Sequence, residues 1–340
     1  MRILIDAMGG DYAPKAVLEG CIAAREEYGI SPVPVGNRQR INECAEKYGL
    51  DLSGFEILHA ENAVGMQDKP LTVRSRPDTS LRVGLTALAA GEADAFVSAG
   101  NTGALQMGGN LFVRRIDGIT RSAIGAILPI TVPVLLLDSG ANATFTPDLL
   151  CQYALMGSIY MRKVHALPRP RTGLLNIGEE AHKGTPDHAK AYARLSAFDQ
   201  ISFVGNIEPD ALMRGGCDVL VSDGFSGNIL LKTMESMSRF VFDCVEESVA
   251  FNPEAAKCGH NRSLFLQYQQ IKRRFDPTEY GGAPIIGLRA PIIKAHGNSD
   301  ANAIKNAVKQ AMLYTGGKVV EEIARGLAGF SFSERSSSGE

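Results

Sequence analysis

The stretch Cys217–Ser236, CDVLVSDGFSGNILLKTMES, reads as three pieces in succession. The run VLV is apolar, β-branched and short, as a strand buried on both faces would be. The small and polar run SDGFSGN follows, and ILLKTMES then takes helical spacing. A strand that empties through a glycine loop into a helix is the repeating unit of a parallel sheet.

The same unit recurs outward along the chain. RILID is a strand, and Pro14 to Tyr28 follows as a helix with proline near its first turn. VPV precedes a helix over Arg38 to Tyr48, and FEILHA is the next strand. Leu81, Leu85 and Leu88 keep helical spacing ahead of the strand and loop DAFVSAGNTGAL. PVLLLDSGAN, TGLLNIGEEAHKG and ISFVGNIEP each read as strand then loop, with FTPDLLCQYALMGSIYM a helix between the first two. AIGAILPITVPVLLLD carries Pro129 and Pro133 and reads as two buried strands around a turn, not a bilayer span. The alternation predicts an α/β fold: a mostly parallel sheet with helices on both faces, in one domain over residues 1–330. A helical extension is expected around residues 240–280 and a disordered tail over 331–340, SFSERSSSGE.

Composition narrows the function. The chain has 340 residues, 45% of them hydrophobic, and a formal net charge of −2. Such a balance gives no bulk attraction to nucleic acid, so any anion must be held by a local site. Cysteines stand at 21, 44, 151, 217, 244 and 258, with no Cys-x-x-Cys and no zinc spacing; reduced thiols and no metal are expected. Asp6 and Asp11 interrupt any signal-like pattern, so a cytoplasmic protein is expected. Neither G-x-G-x-x-G after the first strand nor GxxxxGK[ST] occurs, which disfavours NAD and P-loop ATP binding; no cofactor is expected.

Parallel strands share a direction, so the loops DAMGGD, SAGNTGA, DSGAN, NIGEEAHKG, GNIE and SDGFSGN are expected along one edge of the sheet. Glycine lets main-chain N–H groups approach a ligand, and the helix that follows adds donors and partial positive charge. Both suit phosphate. Gly9, Gly10, Asn101, Thr102 and Gly103 are the expected anion seat. Lys183, with His182 beside it, can neutralise a phosphate or a developing oxyanion. Asn228, after Gly227, is either a plain helix cap or an oxyanion donor. Asp6, Asp138 and Asp223 end strands, where each either caps the next loop, the simplest job, or orients a base. In KAHGNSDANA, Lys294, His296 and Ser299 cluster ahead of a helix; His296 is a proton carrier or a structural hydrogen bonder. In NRSLFLQYQQIKRRFDP, Leu264, Phe265, Tyr268, Ile271 and Phe275 fall near one helical face, flanked by Arg262, Lys272, Arg273 and Arg274. Such a helix lies on an anionic membrane, receives an acidic partner, or packs on its own domain.

Taken in order, IDAMGGDYAP, SAGNTGA, DSGAN, LNIGEEAHKG, GNIE, SDGFSGNILLK, YGGAPIIG and KAHGNSDANA resemble the blocks of the PlsX-type phosphate acyltransferase (acyl-ACP:phosphate acyltransferase) family, from Ile5 to about Ala303. The chain departs from the family pattern at Pro209, usually Gly, and at Asn298, usually Ser. The resemblance implies a homodimeric three-layer α/β/α Rossmann-like enzyme, similar in fold to phosphotransacetylases and isopropylmalate-type dehydrogenases. It implies transfer of a long-chain acyl group from acyl carrier protein (ACP) to inorganic phosphate. A downstream membrane acyltransferase then consumes the acyl phosphate for phospholipid synthesis. The family's active-site lysine and asparagine match Lys183 and Asn228. Asp6, His182, Asp223, Gly227, His296 and Ser299 are the residues further expected around the phosphate. Peripheral contact with the inner face of the membrane is implied near Leu264–Phe275. The alternatives are a short-chain acyl-CoA phosphotransacylase, a decarboxylating dehydrogenase, which would need an acidic metal cluster, and a non-catalytic regulator binding ACP or membrane.

Overall fold

Alternate residues of the central strands go to opposite layers, as a pleat of period two requires. Ile3 and Ile5 join one core and Leu4 another; Val97, Leu135, Leu137, Val219 and Val221 follow the first pair, and Phe96 follows Leu4. Leu136 and Leu220 join a third cluster, on the same side as Leu4 but further along the sheet. The computed structural model describes residues 1–128, 130, 132–247, 260–275 and 277–328, and within them all side chains except those of 260–265, 274, 277 and 278. The tail expected to be disordered, Leu264, Phe265, Arg262 and Arg274 therefore lie outside the described residues or side chains.

Among the described residues, eleven strands form one sheet in the order β3-β2-β1-β4-β11-β10-β5-β6-β9-β7-β8. They are β1 (Arg2–Asp6), β2 (Ser31–Gly36), β3 (Leu58–His59), β4 (Ala95–Ser98), β5 (Ala123–Leu128), β6 (Val134–Leu137), β7 (Arg171–Leu175), β8 (Ser202–Ile207), β9 (Val219–Val221), β10 (Ala283–Ile286) and β11 (Ile292–Lys294). Helices Lys15–Tyr28, Pro147–Val164 and Ala301–Gly316 cover one face. On the other, helices Ser80–Ala89 and Thr102–Gly108 cover the first half and helix Gly224–Glu247 the second. The fold is three-layer α/β/α with a mixed, mostly parallel sheet, as expected.

One expectation is corrected. β10 pairs antiparallel with both β11 and β5, and β5 pairs antiparallel with β6, while the remaining pairs are parallel. Three reversals turn the second half of the sheet against the first. The loops after β1, β4 and β11 therefore leave one edge, and those after β6, β7, β8 and β9 leave the opposite edge. The reversals are the antiparallel pairing of β5 with β6 and of the late hairpin strand β10 with both β11 and β5. Neither alters the strand-loop-helix pattern from which a single edge was inferred.

Smaller differences follow from local chemistry. GNIE is mostly strand, since Gly205 to Ile207 belong to β8. Pro209 opens the short helix Pro209–Met213, where its missing N–H and fixed φ are harmless. FEILHA contributes only Leu58 and His59, because β3 is an edge strand paired with β2 at two positions. Helix Gly224–Glu247 begins four residues before Asn228, so Asn228 is no cap. Asp223 takes that role: its Oδ1 accepts from the N–H groups of Phe225 and Ser226, both at 2.9 Å.

Candidate active site

The second face of the sheet is left open where its two apolar clusters fail to meet, over β5 and β10. A cavity of about 270 Å³ lies there, close to the lower end of small-ligand pockets. Both sets of loops reach it. Thr102 comes from the loop after β4 and His296 from the loop after β11. Gly140 comes from the loop after β6, and Asn228 from the first turns of helix Gly224–Glu247. The opposed edges meet because helix Thr102–Gly108 crosses the face of the sheet: Gln106 Nε2 donates to the carbonyl of Ala141 at 3.2 Å.

The loops of the first half pack backbone on backbone. A methyl on Gly9 would stand 2.5 Å from Asp6 Oδ2 and 2.7 Å from the Gly100 nitrogen, so only glycine fits. The Asp11 N–H donates to the Gly297 carbonyl at 2.7 Å, tying DAMGGD to HGNS, where Ser299 is buried. Asp6 is buried; its Oδ2 accepts from the Ser98 hydroxyl at 2.8 Å and its Oδ1 from the Met8 N–H at 3.2 Å. Asn101 is spent on architecture. Its Oδ1 accepts from the Ala104 N–H at 3.0 Å and its Nδ2 donates to the carbonyls of Gly65, Met66 and Asp68. Gly103 packs against Pro70, which holds that segment over the helix start.

The loop of the second half is built on one carboxylate. Asp138 Oδ1 accepts from the N–H groups of Ile124, Gly140 and Ala141, and Oδ2 from the N–H and side-chain amide of Asn142. Gly227 lies directly on the Asp138 carbonyl, where a side chain would collide. Asn228 thereby comes to stand against Gly140, and its amide hydrogen-bonds to none of the described residues. Asp138 does the capping job expected of it.

Lys183 and His182 are placed differently. Both sit on the loop after β7, and neither is among the cavity-lining residues. The Lys183 side chain is 39% exposed, with Nζ 3.7 Å from Glu180. Asn176 and Asn206 hold the loop through the carbonyls of Lys183 and Glu180. Burial lowers His188, on the helix that follows this loop, below the ordinary imidazole value, with Asp223 and Asp187 opposing.

Two features had no counterpart in the motif reading. Lys294, noticed there only as one of a cluster, is a buried lysine on the cavity wall. The cavity lining also includes the apolar Ile124, Ala126, Leu128, Leu231, Met234 and Phe275. Nothing in the sequence marks those residues apart from ordinary core. Burial holds His296 below the ordinary imidazole value; Glu235 pulls it back, and Lys232 and Lys294 push it further down. It is therefore neutral at pH 7 and can accept a proton or donate from one ring nitrogen.

This arrangement of loops matches known proteins along nearly its whole length. The family model described as "Fatty acid synthesis protein" matches residues 1–321. A phosphate acyltransferase of Alkaliphilus oremlandii is 39% identical over 338 residues, covering 98% of this chain and 99% of that one. The chain belongs to the phosphate acyltransferase family. It is an acyltransferase, and a second relative of the same name, from Shouchella clausii, is 40% identical over 96% of this chain and 98% of its own. Among solved structures, a phosphotransacetylase from Streptococcus pyogenes superposes with a TM-score of 0.64 at 16% identity, covering 94% of each chain. That likeness establishes a shared fold, as the family resemblance implied.

The basic helix His260–Arg274 packs against the C-terminal end of helix Gly224–Glu247. Tyr268 and Phe275 lie against Phe242, with ring centroids 5.9 and 5.8 Å apart, and Lys272 pairs with Glu246. Ile271 and Leu266 face outward. Among the described residues, no helix is long and apolar enough to cross a membrane.

Proposed function

We propose that the chain transfers a long-chain fatty acyl group from acyl-ACP to inorganic phosphate, giving an acyl phosphate for phospholipid synthesis. The observation that carries this reading is that one cavity is lined both by polar groups, among them Lys294, His296, Thr102 and the amide of Asn228, which hydrogen-bonds to no described residue, and by apolar side chains. An anion belongs at the first and an acyl chain against the second.

The chemistry is economical. A phosphate oxygen attacks the thioester carbonyl carbon, the C–S bond breaks, and the departing thiolate takes up the proton that the hydrogen phosphate gives up. Phosphate is anionic near neutral pH and a thiolate leaves readily, so no enzyme nucleophile is required. The protein supplies position and fixed dipoles. Asn228 donates to the tetrahedral oxyanion, and Lys183, which lies outside the cavity lining, would have to swing in from the loop after β7 to add positive charge. Asp6, Gly9, Gly10, Asn101 and Gly103 shape the loop that presents Thr102; Asp223 and Gly227 fix the helix start that presents Asn228. Hydroxylamine trapping of acyl phosphate from purified chain, phosphate and long-chain acyl-ACP tests the reading. No trapped product from any thioester overturns it in favour of a non-catalytic regulator, and product from short-chain acyl-CoA alone overturns it in favour of a phosphotransacylase.

Chain length tests the apolar lining separately. Ala126 stands on the cavity wall in β5. Ala126→Phe is expected to lower kcat/KM for long-chain relative to short-chain acyl-ACP by about tenfold, the worth of roughly two buried methylenes. An unchanged ratio would place the chain elsewhere.

The partners follow from the same reading. Helix Gly224–Glu247 exposes Phe225, Ile229, Met237, Phe240 and Val241, an apolar face suited to a second copy of the chain. The outward Leu266 and Ile271, with Arg273, suit peripheral contact with the inner face of the membrane, where a membrane acyltransferase would take the product.

A further inference from the structure

Lys294 ends β11 with its side chain buried, yet it lines the cavity. An ammonium has three donors. Here two main-chain carbonyls accept from it, those of Ala99, at 3.4 Å, and of Ala295. Among the described residues no carboxylate stands within salt-bridge distance. The acidic groups acting on it are Asp6, from β1, and Asp11, from the loop beyond. Burial pushes the Asp6 carboxyl up towards its neutral form, and both its oxygens already accept hydrogen bonds. A buried cation with so little compensation is costly, and folded chains keep such groups paired or put them to use. The other cation on this wall, Lys232, is exposed and already paired with Glu235 at 2.7 Å.

We propose that Lys294 is the phosphate anchor of this site: its ammonium completes its shell with an oxygen of inorganic phosphate and holds the nucleophile below the thioester carbonyl at Asn228. The assignment rests on the acyl-transfer reading above and adds to it a residue that touches the substrate. Burial lowers Lys294 to about 8, with Asp6 and Asp11 opposing and Lys232 assisting. Glu235 faces the same pocket, and His296 is neutral in this range. The sign is then set. Below pH 8 the anchor is charged; above it the charge, and phosphate affinity with it, are lost.

Three measurements on the full chain test the anchor. Lys294→Met is expected to lower kcat/KM for phosphate by about 10²–10³-fold while leaving KM for acyl-ACP within about twofold. In the parent, kcat/KM for phosphate falls above pH 8, and in Lys294→Arg that alkaline limb disappears, because a guanidinium keeps its proton. Millimolar inorganic phosphate raises the unfolding temperature of the parent and not of Lys294→Met. Equal phosphate kinetics in Lys294→Met, or an alkaline limb unchanged in Lys294→Arg, overturns the anchor; the arginine comparison decides if the methionine variant does not fold. Phosphate protection of a parent that makes no acyl phosphate would overturn the reaction and leave the anchor standing.

Discussion

Asn228→Ala is expected to lower acyl phosphate formation by about 10²–10³-fold at saturating substrates, with the unfolding midpoint unchanged. The two halves of this expectation have separate causes. The amide stands in the cavity beside Gly140 and hydrogen-bonds to no described residue, so its removal costs the fold no hydrogen bond among the described residues. A donor held ready for charge that develops only in the transition state contributes to turnover more than to ground-state binding. Its readiness is structural. Asp223 caps the helix one turn earlier, and Gly227, which no larger residue can replace, sets the helix against the Asp138 carbonyl. Turnover close to the parent's would remove Asn228 from the oxyanion role. Lys183→Ala in the same assay measures the share of the lysine on the loop after β7, and parent-like product formation would take it out of the mechanism.

Asp138→Asn is expected to cost about 2–5 kcal/mol of unfolding free energy, read from urea denaturation, and to abolish most turnover. The parent carboxylate accepts five hydrogen bonds, three at Oδ1 and two at Oδ2. An asparagine presents an NH₂ group on one side whichever way it turns, so two or three buried donors lose their acceptor. Each such loss costs about 1–3 kcal/mol. Against a total stability of about 5–15 kcal/mol this is a large fraction. The consequence for the site is direct, because the loop those donors hold carries Gly140, which Asn228 faces. A variant within about 0.5 kcal/mol of the parent would show that the DSGAN loop keeps its shape without the carboxylate.

The sequence by itself determined the layers and the family. The strand-loop-helix unit, the period-two split of residues such as Ile3, Leu4 and Ile5, and the helices Arg38–Tyr48 and Pro147–Val164 follow from local pattern. Local pattern is set by which face each residue buries. Asn228, Thr102 and His296 were legible for the same reason: small-residue loops ahead of helices are unusual wherever they occur.

The direction of the strands was not legible, nor was anything that depends on it. A strand paired antiparallel on both sides, as β5 is, buries the same apolar residues as one in a parallel sheet, so one edge and two opposed edges share one sequence pattern. Only the folded sheet decided that loops from opposite edges meet over β5. The apolar wall escaped notice because Ala126 and Leu128 differ from core residues only in what is missing opposite them. Lys294 gained its meaning in the same way, because the cost of a buried ammonium is set by the groups around it in space, and those come from β1, β4 and helix Gly224–Glu247.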